Sequence, residues 1–367
     1  MWSGGIVALM GSVFVHSTLA AQAAPAQFRA SEHWRIDGSE SGEPFADLRD
    51  FVVLRDGSLW ALDFKDQNIR RYTVRGKFVD VVGRKGSGPG EMSNANGLVV
   101  APNGMVWMND ARNARINIYR PDGKFERQVL RSPGGSMYRW GAWFDRSNGD
   151  LYEMTISSPP RWRRITSKGD TAGFEPYTSC YDGQASAGGY KAETKGQGNM
   201  MGMYPFTMGG GVAAVGNGTN WCAAPRATRV ALMRSGTKDT IAQTAFEVPL
   251  LAVSPAERDN AVADIEKSLS RYATNDFDKA RVPRTKPGIA GLHVDNDGRL
   301  WVQHAQTFGT RSTTFDVHDA KGKHLGRLTI NARTLSHMPM QAQGDQLWLT
   351  VLDDDDVTSV VQYRFTR

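Results

Sequence analysis

The chain of 367 residues carries only two cysteines, Cys180 and Cys222, and seven histidines. Two cysteines cannot build a disulfide-dominated scaffold, and no His or second Cys lies near either at metal-ligand spacing. Long apolar runs are also missing. Beyond the N-terminus no segment approaches the roughly 20 residues needed to cross a bilayer as a helix. There is no G-x-S-x-G elbow, no HExxH and no zinc-finger spacing, and Gly83-x-x-Gly86-x-Gly88 lacks the Lys-Ser/Thr and the βα context of a phosphate loop. The net charge of +6 comes from scattered residues. Its densest run, Arg161-Trp162-Arg163-Arg164, reads as a solvated strand face rather than a phosphate-binding patch, so no nucleic-acid partner is expected.

What the chain has in excess is glycine, 39 residues, and tryptophan, 10 residues, with 40% hydrophobic residues overall. That composition excludes disorder and supports many short strands joined by tight turns. No charged residue precedes Arg29. Residues 6–20 form a short apolar stretch ending in Ala21-Gln22-Ala23, the pattern of a secretory signal peptide covering 1–23. The mature chain is then a single domain over 24–367, secreted or periplasmic, with an uncleaved anchor as the competing reading. Export in turn favours one disulfide, Cys180–Cys222, closing a loop of roughly 40 residues.

Self-comparison is the most informative step. Asp56-Gly57-Ser58-Leu59-Trp60, Asn103-Gly104-Met105-Val106-Trp107, Asn148-Gly149-Asp150-Leu151-Tyr152, Asn217-Gly218-Thr219-Asn220-Trp221 and Asp297-Gly298-Arg299-Leu300-Trp301 share one pattern. Gly344-Asp345-Gln346-Leu347-Trp348 is a sixth copy with one extra turn residue. Asx-Gly between apolar runs is hairpin chemistry, because both central residues tolerate positive φ. Most copies are followed by a second glycine turn, at Gly76, Gly123, Gly169, Gly236 and Gly322. The unit is therefore four antiparallel strands, and six units give an all-β fold, a six-bladed β-propeller. The last copy ends after three strands, and residues 33–36 are expected to supply its fourth. The six aromatics are expected to pack between neighbouring blades.

The stretch Gly83-Arg84-Lys85-Gly86-Ser87-Gly88-Pro89-Gly90-Glu91-Met92, leading to Asp110-Ala111-Arg112-Asn113-Ala114-Arg115-Ile116, resembles bacterial six-bladed propeller proteins related to NHL repeats. Met92 stands where that family usually has Phe. The resemblance implies architecture, not activity.

Spacings between the key aromatics are 47, 45, 69, 80 and 47 residues, so two insertions interrupt the repeat, near 174–210 and 251–288. The first, rich in Gly, Met, Ser and Tyr, reads as a long irregular loop. The second opens with Ser254-Pro255-Ala256-Glu257, a capping box, and predicts a helix over 255–273 between blades four and five, with Val262, Ile265, Leu269 and Tyr272 on one face. Blade-to-blade connections and the loops after each second strand leave on one rim. Both insertions therefore crowd that rim, together with residues 63–68, 110–113 and 353–356.

Asp63, Asp66, Asp110, Asn113 and His304 then mark a ligand-binding face for a peptide, glycan or small ligand. Asp63, Asp110 and His304, each three residues after its aromatic and expected near the channel mouth, raise an alternative, a lactonase-like hydrolase or a lyase with Ca²⁺ or Zn²⁺ held by those three. Against it stands loop capping by Asp63 and Asp110 through backbone N–H groups. His293 reads as an inner-strand residue, and the acidic run 353–356 as a solvated hairpin tip.

Overall fold

Each Asx-Gly step reverses the chain between the first and second strand of a sheet. The six glycines, Gly57, Gly104, Gly149, Gly218, Gly298 and Gly344, all have φ between 59° and 85°. The turn differs from the expected one in a single respect. Gly57 N–H donates to Leu54 O (3.0 Å) and Leu54 N–H to Ser58 O (2.8 Å), and the same pair recurs at 101–105 and 295–299. This is a three-residue loop, a type I turn closed by a left-handed glycine, so only the glycine needs positive φ. In the first copy the Asx side chain instead accepts the N–H two residues on, as Asp56 does from Ser58 (2.9 Å).

The computed structural model describes residues 26–130, 140–155, 161–176, 189–193, 199–207, 211–216, 218–307, 309–334 and 336–366. The expected signal segment 1–23 and Cys180 lie outside them. The chain begins with β1 (Gln27–Ile36). The first four-stranded antiparallel sheet holds β2 (Leu48–Val53), β3 (Leu59–Asp63), β4 (Asn68–Tyr72) and β5 (Phe78–Val82). The second holds β6 (Ala95–Val100), β7 (Val106–Asp110), β8 (Arg115–Tyr119) and β9 (Phe125–Leu130). The third holds β10 (Trp143–Phe144), β11 (Leu151–Met154), β12 (Arg161–Ile165) and β13 (Thr171–Pro176).

After β14 (Gly189–Glu193) and β15 (Asn199–Met203) comes the fourth sheet, β16 (Gly211–Gly216), β17 (Thr219–Ala223), β18 (Ala231–Arg234) and β19 (Thr240–Gln243). The second insertion contains β20 (Leu251–Ala252), α1 (Pro255–Leu269), β21 (Thr274–Asn275) and β22 (Thr285–Lys286). The remaining strands are β23 (Ile289–Val294), β24 (Leu300–His304), β25 (Thr313–His318), β26 (His324–Ile330), β27 (Met340–Gln343), β28 (Gln346–Leu352) and β29 (Thr358–Thr366). With β1 they form one mixed eight-stranded sheet, in the order β23-β24-β25-β26-β1-β29-β28-β27.

The junction in that sheet is β1. It pairs antiparallel with β29 along its length, from Arg29↔Thr366 to Ile36↔Val360, and parallel with β26 at Gln27↔Arg327 and Phe28↔Leu328. The N-terminal segment thus supplies the fourth strand beside β29, as expected from 33–36, and is longer than expected.

The repeated aromatics are all buried. Most reach across to the next sheet. Trp60 meets Tyr119 of the second sheet at 6.3 Å and Trp107 meets Phe144 of the third at 5.2 Å, while within the eight-stranded sheet Trp301 of β24 meets Phe365 of β29 at 5.4 Å between centroids. Trp221 clusters with Leu300 and Val302, and Trp348 with Phe51 and Leu59. Large aromatic side chains buried in these contacts contribute to the apolar packing between sheets.

The two insertions differ most from their sequence reading. The first is not wholly irregular: β14 and β15 form a hairpin, and β21 of the second insertion adds to it. Tyr190, Ala192 and Tyr204 from the first share a core with Val262, Leu269 and Val282 from the second. Tyr190 and Tyr204 sit 5.1 and 5.5 Å from Phe277. The insertions therefore bury each other's apolar surface. The helix stops at Leu269, short of 273, because Ala273 N–H leaves to bond Glu193 O (2.9 Å) on β14. Its capping box is half formed. Ser254 Oγ accepts from Glu257 N–H (3.2 Å), but the Glu257 carboxylate turns away to Lys286 Nζ at 2.5 Å.

Candidate functional site

Asp63 ends β3, Asp110 ends β7 and His304 ends β24, so all three stand at the rim that carries the loops after each second strand. Asp63 is fully buried. Its carboxylate accepts N–H groups from Ala46 (2.7 Å) and Asp47 (3.2 Å) of the preceding connection, and from Lys65 and Asp66 (both 3.1 Å) of its own loop. Asp66 pairs with Arg70 at 2.9 Å, and Arg70 in turn donates to Gly38 O and Glu43 O.

In the second sheet Asp110 has the equivalent role. It is fully buried and accepts N–H groups from Ser93 (3.0 Å) and Asn94 (3.1 Å), the Asn113 amide (2.6 Å) and Arg115 Nε (3.3 Å). Asn113 also donates to Gly86 O at 3.1 Å. Arg115 donates to Ser87 O, Gly88 O and Glu91 O, fastening the glycine-rich 83–92 loop to the sheet. Asp63, Asp66, Asp110 and Asn113 are loop fasteners, spending their polar atoms on backbone groups and on the arginines that hold those loops.

His304 does something different. Its Nε2 lies 2.6 Å from Asp316 Oδ2, and the same buried carboxylate takes His324 Nε2 (3.0 Å) and the Arg327 fork (2.9 and 2.8 Å). Burial alone would push the Asp316 carboxyl up. The hydrogen bonds from His304, His324 and Arg327 outweigh it and hold that carboxyl well below the usual range. Phe246, from the fourth sheet's end, stacks on His324 at 4.9 Å and lies under Arg327 at 4.8 Å. Asp63, Asp110 and His304 thus serve three separate local structures. Among the described residues, no group of three or more His, Cys, Asp or Glu is arranged to hold a metal ion.

A concave feature of this rim lies beside the loop after β24. A cleft of about 940 Å³ is walled by Glu257 and Lys286 of the second insertion, by residues 306–307 and 309–311 after β24, by Asn331, Ala332 and Arg333 after β26, and by 351–355 at the end of β28. Arg35 of β1 closes it. The walls carry both signs of charge, with Lys286 paired to Glu257 and Arg311 to Asp354, while Arg333 pairs with Asp356 just outside the lining. No sequence signal joins these residues, because five distant segments meet here. The nearest hint is that the acidic run 353–356 and the helical insertion both belong to this rim.

No family model matches the chain, and none of the curated proteins matches it. Among solved structures it is similar to U3-55K, with 11% identity, a TM-score of 0.52, and 92% of this chain and 99% of that one covered. It is similar to the same extent to the RRP9 WD40 repeats, with 12% identity, a TM-score of 0.52, and 94% and 99% covered. WD40 repeats are propeller repeats. The fold is a β-propeller. A PQQ-bound aldose sugar dehydrogenase from Streptomyces coelicolor overlaps at a TM-score of 0.48 and 13% identity, over 94% and 100% of the chains. Identities this low speak to fold alone.

The seam between the propeller's fourth sheet and β23–β26 has a pH response built into it. His318 is buried beside His324, with ring centroids 5.0 Å apart, near Asp316 and Asp319. Burial, helped by the His324 charge, pushes its imidazole down to about 4. The unfolded chain takes up this proton near the ordinary value of about 6.5, so stability present at neutral pH is lost as pH falls from about 6.5 to about 4. The loss from this group is about 3 kcal/mol. Urea denaturation at pH 7 and pH 4.5 should show it, and His318→Leu should flatten the dependence; an unchanged slope in the variant would rule this origin out.

Proposed function

We propose that the chain is an exported, six-bladed propeller, related in architecture to the NHL-type proteins, that binds a ligand in the cleft on its insertion-bearing rim. One observation carries the binding reading. The helical insertion and the closing strand, which the repeat does not require, converge with loops of the last sheets to wall a cleft of about 940 Å³. That volume lies within the ordinary range of ligand sites. The six-blade count takes the eight-stranded sheet as two four-stranded blades, β23–β26 and β27–β29 with β1, joined by the two parallel pairs. Support for export comes from the apolar N-terminal segment and its small-x-small end. A peptide, glycan or small molecule all fit the size.

Filling the cleft tests this reading. In a thermal-shift screen of peptides, oligosaccharides and small metabolites, a ligand at 100-fold its Kd stabilises the chain by about 2.7 kcal/mol. Thr310→Trp, in the cleft wall, should abolish the shift, while Lys77→Trp on the opposite rim should preserve it. Equal shifts in the two variants would contradict the site.

We also propose the Cys180–Cys222 disulfide, which would tether the first insertion to the buried second strand of the fourth sheet, where Cys222 sits. Thiol titration of the denatured chain should find none before reduction and two after. Two thiols without reductant would refute the bond.

A further inference from the structure

The acidic tip after β28 is not a uniformly solvated run, because its members have separate roles. Asp353 closes the turn, its Oδ1 accepting N–H groups from Asp355 and Val357, both at 2.9 Å. Asp356 adopts a left-handed conformation with φ 62°. Asp354 and Asp356, two residues apart, reach out to two arginines from different segments. Asp354 pairs with Arg311 of the loop after β24, and Asp356 pairs with Arg333 of the connection after β26. Both arginines line the cleft. The chain thus places two of its own carboxylates on two of the cleft's cations.

We infer that Arg311 and Arg333 form a carboxylate-recognition subsite, that its ligand is an acidic peptide, and that the 354–356 tip is an internal stand-in for that ligand. The inference rests on the cleft being the binding site. Guanidinium groups bind carboxylates bidentately, which makes arginine the cation suited to this task. The internal pairs are weak occupants. Arg311 and Asp354 are 70% and 78% exposed, and Asp356 is 73% exposed. Exposed pairs of this kind are each worth at most a factor of about five, so an incoming carboxylate can displace them. A short peptide with acids at i and i+2 carries its two carboxylates at the same sequence offset as the stand-in. Ala332, Val351 and Leu352 give the cleft an apolar floor, and Asn331 offers a carboxamide to a peptide backbone. A peptide is favoured over a polyuronate because the group already occupying the arginines is itself a peptide segment.

The experiment is fluorescence anisotropy at fixed ionic strength with the labelled peptide Gly-Asp-Ala-Asp-Gly, end-blocked. Removing the stand-in by Asp354→Asn with Asp356→Asn should tighten binding about tenfold relative to the parent chain. Arg311→Gln with Arg333→Gln should weaken it more than tenfold, and the Gly-Asn-Ala-Asn-Gly peptide should not bind. Coincident thermal melts of the variants and parent establish that each folds. Unchanged affinity on removing the aspartates, retained binding without the arginines, or displacement of the peptide by oligogalacturonate at lower concentration would each overturn the inference. Absence of peptide binding overturns it too. If another ligand is still excluded by Thr310→Trp, the cleft reading survives that failure; if every ligand ignores Thr310→Trp, the cleft reading fails with it.

Discussion

The pairing of β1 between β29 and β26 is the contact on which the rest of this structure depends. It joins residues near the start of the chain to residues more than 290 positions later, so its loop-closure entropy is repaid only once both partners are in place. In return it removes two exposed strand edges. It also fixes the relative position of β23–β26 and β27–β29, and the cleft lies over that junction. Arg35 of β1, the loop after β24, the connection after β26 and the tip after β28 all meet there. Closure of the sheet and construction of the cleft are one event.

A second regularity runs through the sheets. The second and third strands of the first three sheets share a buried ion pair: Asp63 with Arg70, Asp110 with Arg115, Glu153 with Arg163. In each case one member reaches the incoming connection, as when Glu153 accepts from Trp140 Nε1 at 2.7 Å. The pair costs desolvation, yet its hydrogen bonds satisfy polar groups that the turn geometry would strand. Between β24 and β25 the signs are reversed. The acid, Asp316, sits on the third strand, and the bases His304, His324 and Arg327 surround it. One buried carboxylate here gathers two imidazoles and a guanidinium, where the other sheets pair one carboxylate with one guanidinium.

Local chemistry was legible in the chain. Glycine at each turn and an aromatic three residues later are constraints within a few positions, and both the turns and the inter-sheet aromatics emerged where the repeat put them. The helix start at Ser254 was legible for the same reason. What the sequence did not disclose depends on packing between distant segments. Nothing local says that Tyr190 and Tyr204 would share a core with Val262 and Leu269, or that Arg311 and Arg333 would meet the 353–356 tip. Whether Asp63 and Asp110 converge with His304 is not written in the chain either. That too is a tertiary fact, and in the described residues each carboxylate is filled by neighbouring N–H groups.

Hydrogen–deuterium exchange of the β1 amides, residues 27–36, tests the central constraint most directly. If β1 is an integral strand that closes the sheet, its inward-bonded amides exchange as slowly as those of β28 and β29, through the same global opening. Exchange of β1 within the dead time, with β28 and β29 still protected, would show that the ring and its cleft stand without it and would contradict the account.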